Sequence, residues 1–316
     1  MATSTGAAVN ESTLKLPSFA KINRSLRILG KRSDGFHEVD SILQTVSLHD
    51  ELTFTRRIDE QIVLTCDSET IPTDSSNLIV RAASVLKDLA RGPYGASIHL
   101  TKRIPAQGGL GGASSNAAVA LLALNFLWKL GFDNTQLQAL GERLGSDVPF
   151  FFAGGTARAT GTGTHVSTLQ DSEECFLIII TPNARVSTTA AYEALRAPSL
   201  TTKGSVSILS SSFADPTFSD CDQWALYNDF EGVIFEMEPE IKRAKLALLE
   251  AGAQGGLLSG SGSSVFGTFE SKAARELALT VLRRETGWLI FSCSTISRTE
   301  YSEALNSVGF PTLTLS

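Results

Sequence analysis

Residues 105–116 read PAQGGLGGASSN, with four glycines (108, 109, 111 and 112) packed into five positions. Glycine lets a backbone turn tightly and approach a ligand closely. An apolar helix is predicted to follow, opening near Ser114 and running to about Leu130. A helix start aims unpaired N–H groups and a positive dipole end into the loop before it. That combination cradles phosphate, and the hydroxyls of Ser114 and Ser115 stand at its mouth. The familiar nucleotide loops fit poorly. No lysine follows the glycines as a P-loop needs, and Ser114 stands where a dinucleotide fingerprint wants glycine or alanine. A protein-kinase loop covers its phosphates from other surroundings.

Other segments carry chemistry of their own. In SFAKIN, Lys21 sits in a strand-like run, either on an exposed strand face or held beside a reacting group where its charge is strengthened by excluded water. In KRSDGFH, Asp34-Gly35 signals a turn. Phe36 and His37 then either finish a hairpin or offer a flat ring a stacking face and a hydrogen-bonding partner. In GSDVP, Asp147 follows a helix end; it is a turn or cap aspartate, or a base for a hydroxyl proton. LSGSGSSVF, residues 258–266, reads by itself as a tight turn.

The elements that must position these residues follow from pattern. Strands are predicted at 14–29, 51–56, 61–66 and 96–104, and a helix at 77–89. After the loop and its apolar helix, which must be buried, a helix is predicted at 135–144 with Gly145 as its stop. Residues 146–164 read as irregular structure and short strands. In the second half, 176–181 (FLIIIT) is a buried strand. Helices are predicted at 189–195, 224–235, 239–250 and 271–285, and strands at 256–259, 264–269 and within 287–296. Strand, helices, two strands, helix, strand suggests a small α+β sandwich with helices on one face.

The 316 residues suffice for two domains. Hydrophobic content of 42% with 19% charged residues is that of a globular protein. A net charge of −6 argues against a broad nucleic-acid-binding face, so any phosphate ligand needs local cations. Lys21, Lys31, Arg32, Lys102 and Arg103 are the candidates. Cys66, Cys175, Cys221 and Cys293 are scattered with no zinc spacing, which suggests free thiols in a reducing, cytoplasmic setting. The histidines show no metal spacing either, and no metal-binding side-chain set is predicted. Residues 1–12 read as a disordered tail and 205–212 as a surface loop. The apolar helix is too short and alanine-rich to argue for a membrane span.

SFAKIN, PAQGGLGGASSN and LSGSGSSVF occur in the order found in the GHMP kinases, which this chain resembles over about residues 15–300. GKRSDGFHEVDSILQTV and LGSDVPFFFAGG resemble the branch acting on a cytidyl diphosphate sugar alcohol in the non-mevalonate isoprenoid pathway. The resemblance implies an N-terminal α/β domain (13–168) carrying ATP and a C-terminal ferredoxin-like α+β domain (169–316), with a cleft between them. It implies transfer of the ATP γ-phosphoryl group to a 2-hydroxyl of that small-molecule substrate. Asp147 is then the catalytic base and Lys21 its cationic partner. Asn23 and His37 contact substrate, Phe36 and Tyr192 take the two faces of the cytosine, and Thr188 holds a substrate phosphate. Asn77 and Lys102 contact adenosine. Pro105, Ala106, Gln107, Gly108, Gly109, Leu110, Gly111, Gly112, Ala113, Ser114 and Ser115 line the triphosphate. Mg²⁺ accompanies ATP, with Ser115 a candidate ligand and no carboxylate ligand identified. Gln107 and Ala113 stand where the family commonly has glycine. A positive φ at 113 would strain alanine, and Gln107 adds a side chain where phosphates approach.

Two other functions compete. A homoserine or mevalonate type of GHMP kinase would have no use for the aromatic-plus-histidine segment. A non-catalytic nucleotide-binding module would have no use for Lys21 and Asp147.

Overall fold

A computed structural model describes residues 13–196 and 226–306; the tail 1–12, the run 205–212 and Cys221 lie outside the described residues. β1 (Thr13–Lys31) and β2 (His37–Arg57) form a long antiparallel hairpin. Its turn is closed by the Arg32 N–H donating to the Phe36 carbonyl at 2.7 Å, with Gly35 at φ 89°. The strands predicted at 14–29 and 51–56 lie inside this hairpin. Residues 37–50 extend β2 well beyond the prediction. They hide Ser41, Gln44, Thr45 and Asp50 in the interior, so polar residues break the apolar alternation that marks a half-buried strand.

β3 (Ile62–Cys66) and β4 (Gly95–Thr101) pair in parallel across α1 (Leu78–Ala90), and β4 lies against β2. α2 (Gly112–Leu127), α3 (Asn134–Leu144) and the single turn α4 (Phe150–Ala153) follow, then β5 (Thr156–Gly161), which pairs with residues 39–44 of β2 farther along the edge that β4 uses, and β6 (His165–Thr168) beside it. α2 is buried nearly all round, as its composition requires. Asp133 and Gln136 cap α3 reciprocally, and Gly145 ends it.

The second half begins with β7 (Phe176–Pro182) and α5 (Thr188–Leu195). The helix predicted at 224–235 is instead the two-residue β8 (Tyr227–Asn228), parallel to β1, followed by α6 (Phe230–Met237). The buried Asn228 breaks the helix because its side-chain oxygen accepts the Phe230 N–H. α7 (Pro239–Glu250), β9 (Gly255–Leu258), β10 (Val265–Phe269), α8 (Lys272–Leu282), β11 (Trp288–Ser294) and α9 (Arg298–Asn306) complete the described chain. The second sheet runs β11-β7-β10-β9, antiparallel throughout. Its two faces separate by strand alternation. Ile178 and Ile180 pack with Ile241, Ala244, Leu248 and Leu279 of the helices. Leu177, Ile179 and Phe266 pack against Ala20, Ile22, Ile104 and Leu110 of the first half. One apolar layer therefore joins the second sheet to β1 and to the glycine-rich loop. α9, unpredicted, returns Tyr301 and Leu305 to the first core.

Candidate active site

α2 starts at Gly112, two residues before the prediction, and ends at Leu127. Its N-cap, Gly111, lies at φ 69° and no side chain caps the first turn, so the leading N–H groups remain free for a ligand. Ala113 falls inside the helix, so the strain considered for it does not arise. Gln107 takes the left-handed conformation, at φ 57°, with its side chain exposed. Pro105 and Ala106 make the turn into the loop. Leu110 is buried beneath it, and its carbonyl accepts the Lys21 N–H at 3.0 Å.

The second loop, residues 259–264, is locked to the first. Ser264 N–H donates to the Gly108 carbonyl at 3.1 Å and Ser259 Oγ to the Gly109 carbonyl at 3.0 Å. Gly109 lies at φ 73°, and a Cβ there would fall 2.0 Å from the Ser259 carbonyl oxygen. From beneath, Asn228 donates to the carbonyls of Leu258 and Gly260, both at 2.8 Å. LSGSGSSVF is thus a tight turn that also buttresses the glycine-rich loop. Neither Asn228 nor this pairing had a local sequence signal.

Lys21 lies in β1 between two register irregularities, at Phe19/Ala20 and Asn23/Ser25; bulges of this kind re-aim side chains. Its stem runs past Gly111, where a Cβ would come within 2.9 Å of Lys21 Cγ. Its ammonium is 4% exposed, donates to Asn23 Oδ1 at 2.7 Å and lies 3.5 Å from Asp147 Oδ2. Asn23 in turn donates to Ser41 Oγ at 2.8 Å. Asp147, in the turn after α3, stays 37% exposed. An ammonium, an amide and an open carboxylate therefore meet beside the start of α2, from positions far apart in the chain.

His37 stacks on Tyr192, with ring centroids 4.4 Å apart and planes at 20°, and Phe230 meets Tyr192 edge-on at 4.9 Å. Burial, then the charge of Lys31, holds the His37 imidazole below the ordinary histidine range. Burial, then Asp147, pushes the Tyr192 hydroxyl up to about 12. Phe36 stands 64% exposed at the hairpin tip. His37 thus covers one face of Tyr192, the ring expected with Phe36 to take the cytosine. Thr188 opens α5 and shares a 3.0 Å hydrogen bond with Ser261. Both line a cavity of about 470 Å³ with Gln107, Gly109, Gly262 and Arg185. Arg185 is exposed and has no partner among the described residues. The sequence NARVST gave no reason to single it out.

Asn77 and Lys102, expected to contact adenosine, also hold the protein's own backbone and side chains. Asn77 is the N-cap of α1: Oδ1 accepts the Ile79 N–H at 2.9 Å and Nδ2 donates to the Pro72 carbonyl at 2.7 Å, which occupies both ends of the amide. The Lys102 ammonium turns inward to the fully buried Asp50 at 3.0 Å and also donates to the Ile104 carbonyl. Of the other candidate cations, Arg32 is paired with Asp34 and Glu38. Ser115 is fully buried and accepts from Ser18 Oγ at 2.7 Å. No cluster of three His, Cys, Asp or Glu suited to a metal occurs among the described residues.

The pattern described as GHMP kinases N terminal domain matches residues 77–155, and GHMP kinases C terminal matches residues 213–287. A Syntrophus aciditrophicus protein named 4-diphosphocytidyl-2-C-methyl-D-erythritol kinase is 39% identical over 285 residues, 90% of this chain and 99% of the relative. The chain belongs to the GHMP kinase family. This GHMP kinase is similar to a crystal structure of 4-(cytidine 5'-diphospho)-2C-methyl-D-erythritol kinase, with 32% identity, a TM-score of 0.72 and coverage of 89% of this chain and 99% of that one. It shares its fold with a homoserine kinase from Cytophaga hutchinsonii at 19% identity and a TM-score of 0.66, covering 93% and 97% of the two chains. The two-part α/β and α+β architecture inferred from the motifs is the one found, and the GHMP kinase is a small-molecule kinase. No described helix is long and apolar enough to cross a membrane.

Proposed function

We propose that this GHMP kinase transfers the γ-phosphoryl group of ATP to the 2-hydroxyl of 4-diphosphocytidyl-2-C-methyl-D-erythritol, a step of the non-mevalonate route to isoprenoid precursors. The observation that carries the proposal is the Lys21–Asp147 pair, 3.5 Å apart, beside the uncapped start of α2 and on the same side as His37 and Tyr192. Phosphoryl transfer passes through a loose transition state, so positioning and charge neutralisation are what the protein must provide.

The first-turn N–H groups of α2, which no side chain caps, suit a triphosphate, and glycine at 109 and 111 lets the loop close against Ser259 and Lys21. The acceptor oxygen forms its bond to the γ-phosphorus as the bond to the β–γ bridging oxygen breaks and ADP leaves. Asp147 takes the hydroxyl proton, while the Lys21 charge stabilises the transferring group. Asn23 orients Lys21 and borders the acceptor. Arg185 and Thr188 supply a cation and a hydroxyl to the acceptor's diphosphate. The cytosine packs near Tyr192, His37 and Phe36. Mg²⁺ would neutralise phosphate charge; Ser115, the hydroxyl expected to hold it, is buried against Ser18. Residues 13–168 form the nucleotide half and 169–316 the other, with β8 and α9 returned to the first. A cytoplasmic setting completes the proposal; Cys66, Cys175 and Cys293 are free.

A coupled ADP-release assay with the cytidyl diphosphate acceptor, homoserine and mevalonate tests this. Turnover with the cytidyl acceptor alone supports it. Turnover with homoserine or mevalonate instead, or tight ATP binding with no turnover on any alcohol, refutes it.

A further inference from the structure

We propose that Asp50 is the positioning residue that sets the phosphate loop on the sheet by tying together the chain entering the loop and the helix leaving it. The inference rests on the assignment of residues 105–112 to the nucleotide's phosphates. Asp50 lies in β2 and is 0% exposed. Its Oδ1 accepts the backbone N–H groups of Arg103 and Ile104, both at 2.7 Å, immediately before the loop. Its Oδ2 accepts Asn116 Nδ2 at 3.0 Å, from the second turn of α2. The Lys102 ammonium bridges both oxygens at 3.2 and 3.0 Å and also donates to the Ile104 carbonyl. One carboxylate therefore holds both ends of the loop against β2.

Stability alone is a poor reason for this arrangement. A buried ion pair contributes little compared with well-packed apolar side chains of the same volume. An apolar residue, however, could not accept two successive N–H groups from chain that has left the β-ladder. Nor could it fix α2 through Asn116. Charge alone is also a poor reason. Lys102 Nζ lies 3.5 Å from where a Cβ on Gly112 would be, at the start of α2, and Asp50 partly cancels its attraction for phosphate. If Asp50 acted only through charge, removing that charge would strengthen ATP binding. Positioning gives the opposite sign.

The test is Asp50→Asn in the full-length chain. The amide oxygen can still accept from residues 103 and 104, but its NH₂ then faces two donors, Lys102 and Asn116. ATP affinity, read by isothermal titration, should weaken about 10–100-fold, the range expected when charge-assisted bonds are lost. KM for the cytidyl acceptor should change little, and hydrogen exchange at residues 103–112 should quicken ahead of the rest of the chain. Asn116→Ala removes only the tie to α2 and should shift ATP affinity the same way by less, so it serves if Asp50→Asn does not fold. Equal losses for ATP and acceptor, unchanged ATP affinity, or tighter ATP binding in the variants would each overturn the inference. Wild-type protein that binds no ATP would overturn the functional reading and this inference with it. Normal wild-type binding beside unaffected variants would overturn this inference alone.

Discussion

Replacing Gly109 by alanine isolates the contact between the two glycine loops, because Gly131 provides a matched control. Both lie in the left-handed region, at φ 73° and 76°. At Gly131 a new Cβ meets nothing within 4 Å, so Gly131→Ala carries only the conformational penalty, about 1 kcal/mol. At Gly109 the same atom would lie 2.0 Å from the Ser259 carbonyl oxygen and 3.0 Å from that of Gly262. Both obstacles are backbone, so no side-chain rotation relieves them. The loops must part by about 1.3 Å or more to restore a normal carbon–oxygen contact. That breaks the 3.0 Å bond from Ser259 to Gly109 and the 3.1 Å bond from Ser264 to Gly108. Two hydrogen bonds at about 1 kcal/mol each, added to the conformational penalty, give a loss of about 3 kcal/mol. A misplacement of about 1 Å in a group that positions substrate costs on the order of 100-fold in rate. Thermal melts and steady-state kinetics on both variants provide the assay. Gly131→Ala should lose about 2–4 °C and keep full activity, while Gly109→Ala should lose more stability and most of its turnover. If Gly109→Ala binds ATP and turns over like the control, the two loops are not mechanically joined and the reasoning fails.

Removing the exposed ring in Phe36→Ala should raise KM for the cytidyl acceptor by the equivalent of about 1–3 kcal/mol, the range for stacking platforms, with KM for ATP unchanged; an unchanged acceptor KM would take Phe36 out of the site. Arg185→Ala should likewise raise acceptor KM roughly tenfold, as losing one charge-assisted hydrogen bond does, and added salt should shrink the gap between variant and wild type. His37 supplies a pH test. Its folded pKa is depressed, so the neutral ring persists below the ordinary value of about 6.5, and whatever depends on that ring is lost only as pH falls through the depressed value. Acceptor KM should therefore stay flat from pH 8 to about 6.5 and rise below it, and His37→Gln should flatten the profile; a rise already under way above pH 7 would contradict the assignment.

The chemistry was legible wherever a local motif carried it. Glycine spacing marked the uncapped loop before α2, and the apolar run after it marked a buried helix. Lys21 and Asp147, separate in sequence, were singled out by motif and meet in the fold. What escaped was anything set by distant partners. Residues 37–50 were not read as strand because Ser41, Gln44, Thr45 and Asp50 are polar and buried, each satisfied or enclosed by other elements. Lys102 looked like a cation for a ligand, and only folding shows that Asp50, from β2, claims its charge. Arg185 had no local mark because only folding brings it to the cavity that Gln107 and Ser261 also line. α9 was missed because only Tyr301 and Leu305 are fully buried, too few to show helical periodicity.

The most direct test of phosphoryl transfer through the acid–ammonium pair is single-turnover kinetics of Asp147→Asn alongside its ATP affinity. Loss of the proton acceptor, with the glycine loop untouched, should lower the transfer rate by about 10²–10⁴ and leave ATP binding within about twofold of wild type. A variant that transfers the phosphoryl group at near wild-type rate, or loses ATP binding in step with transfer, would contradict the account.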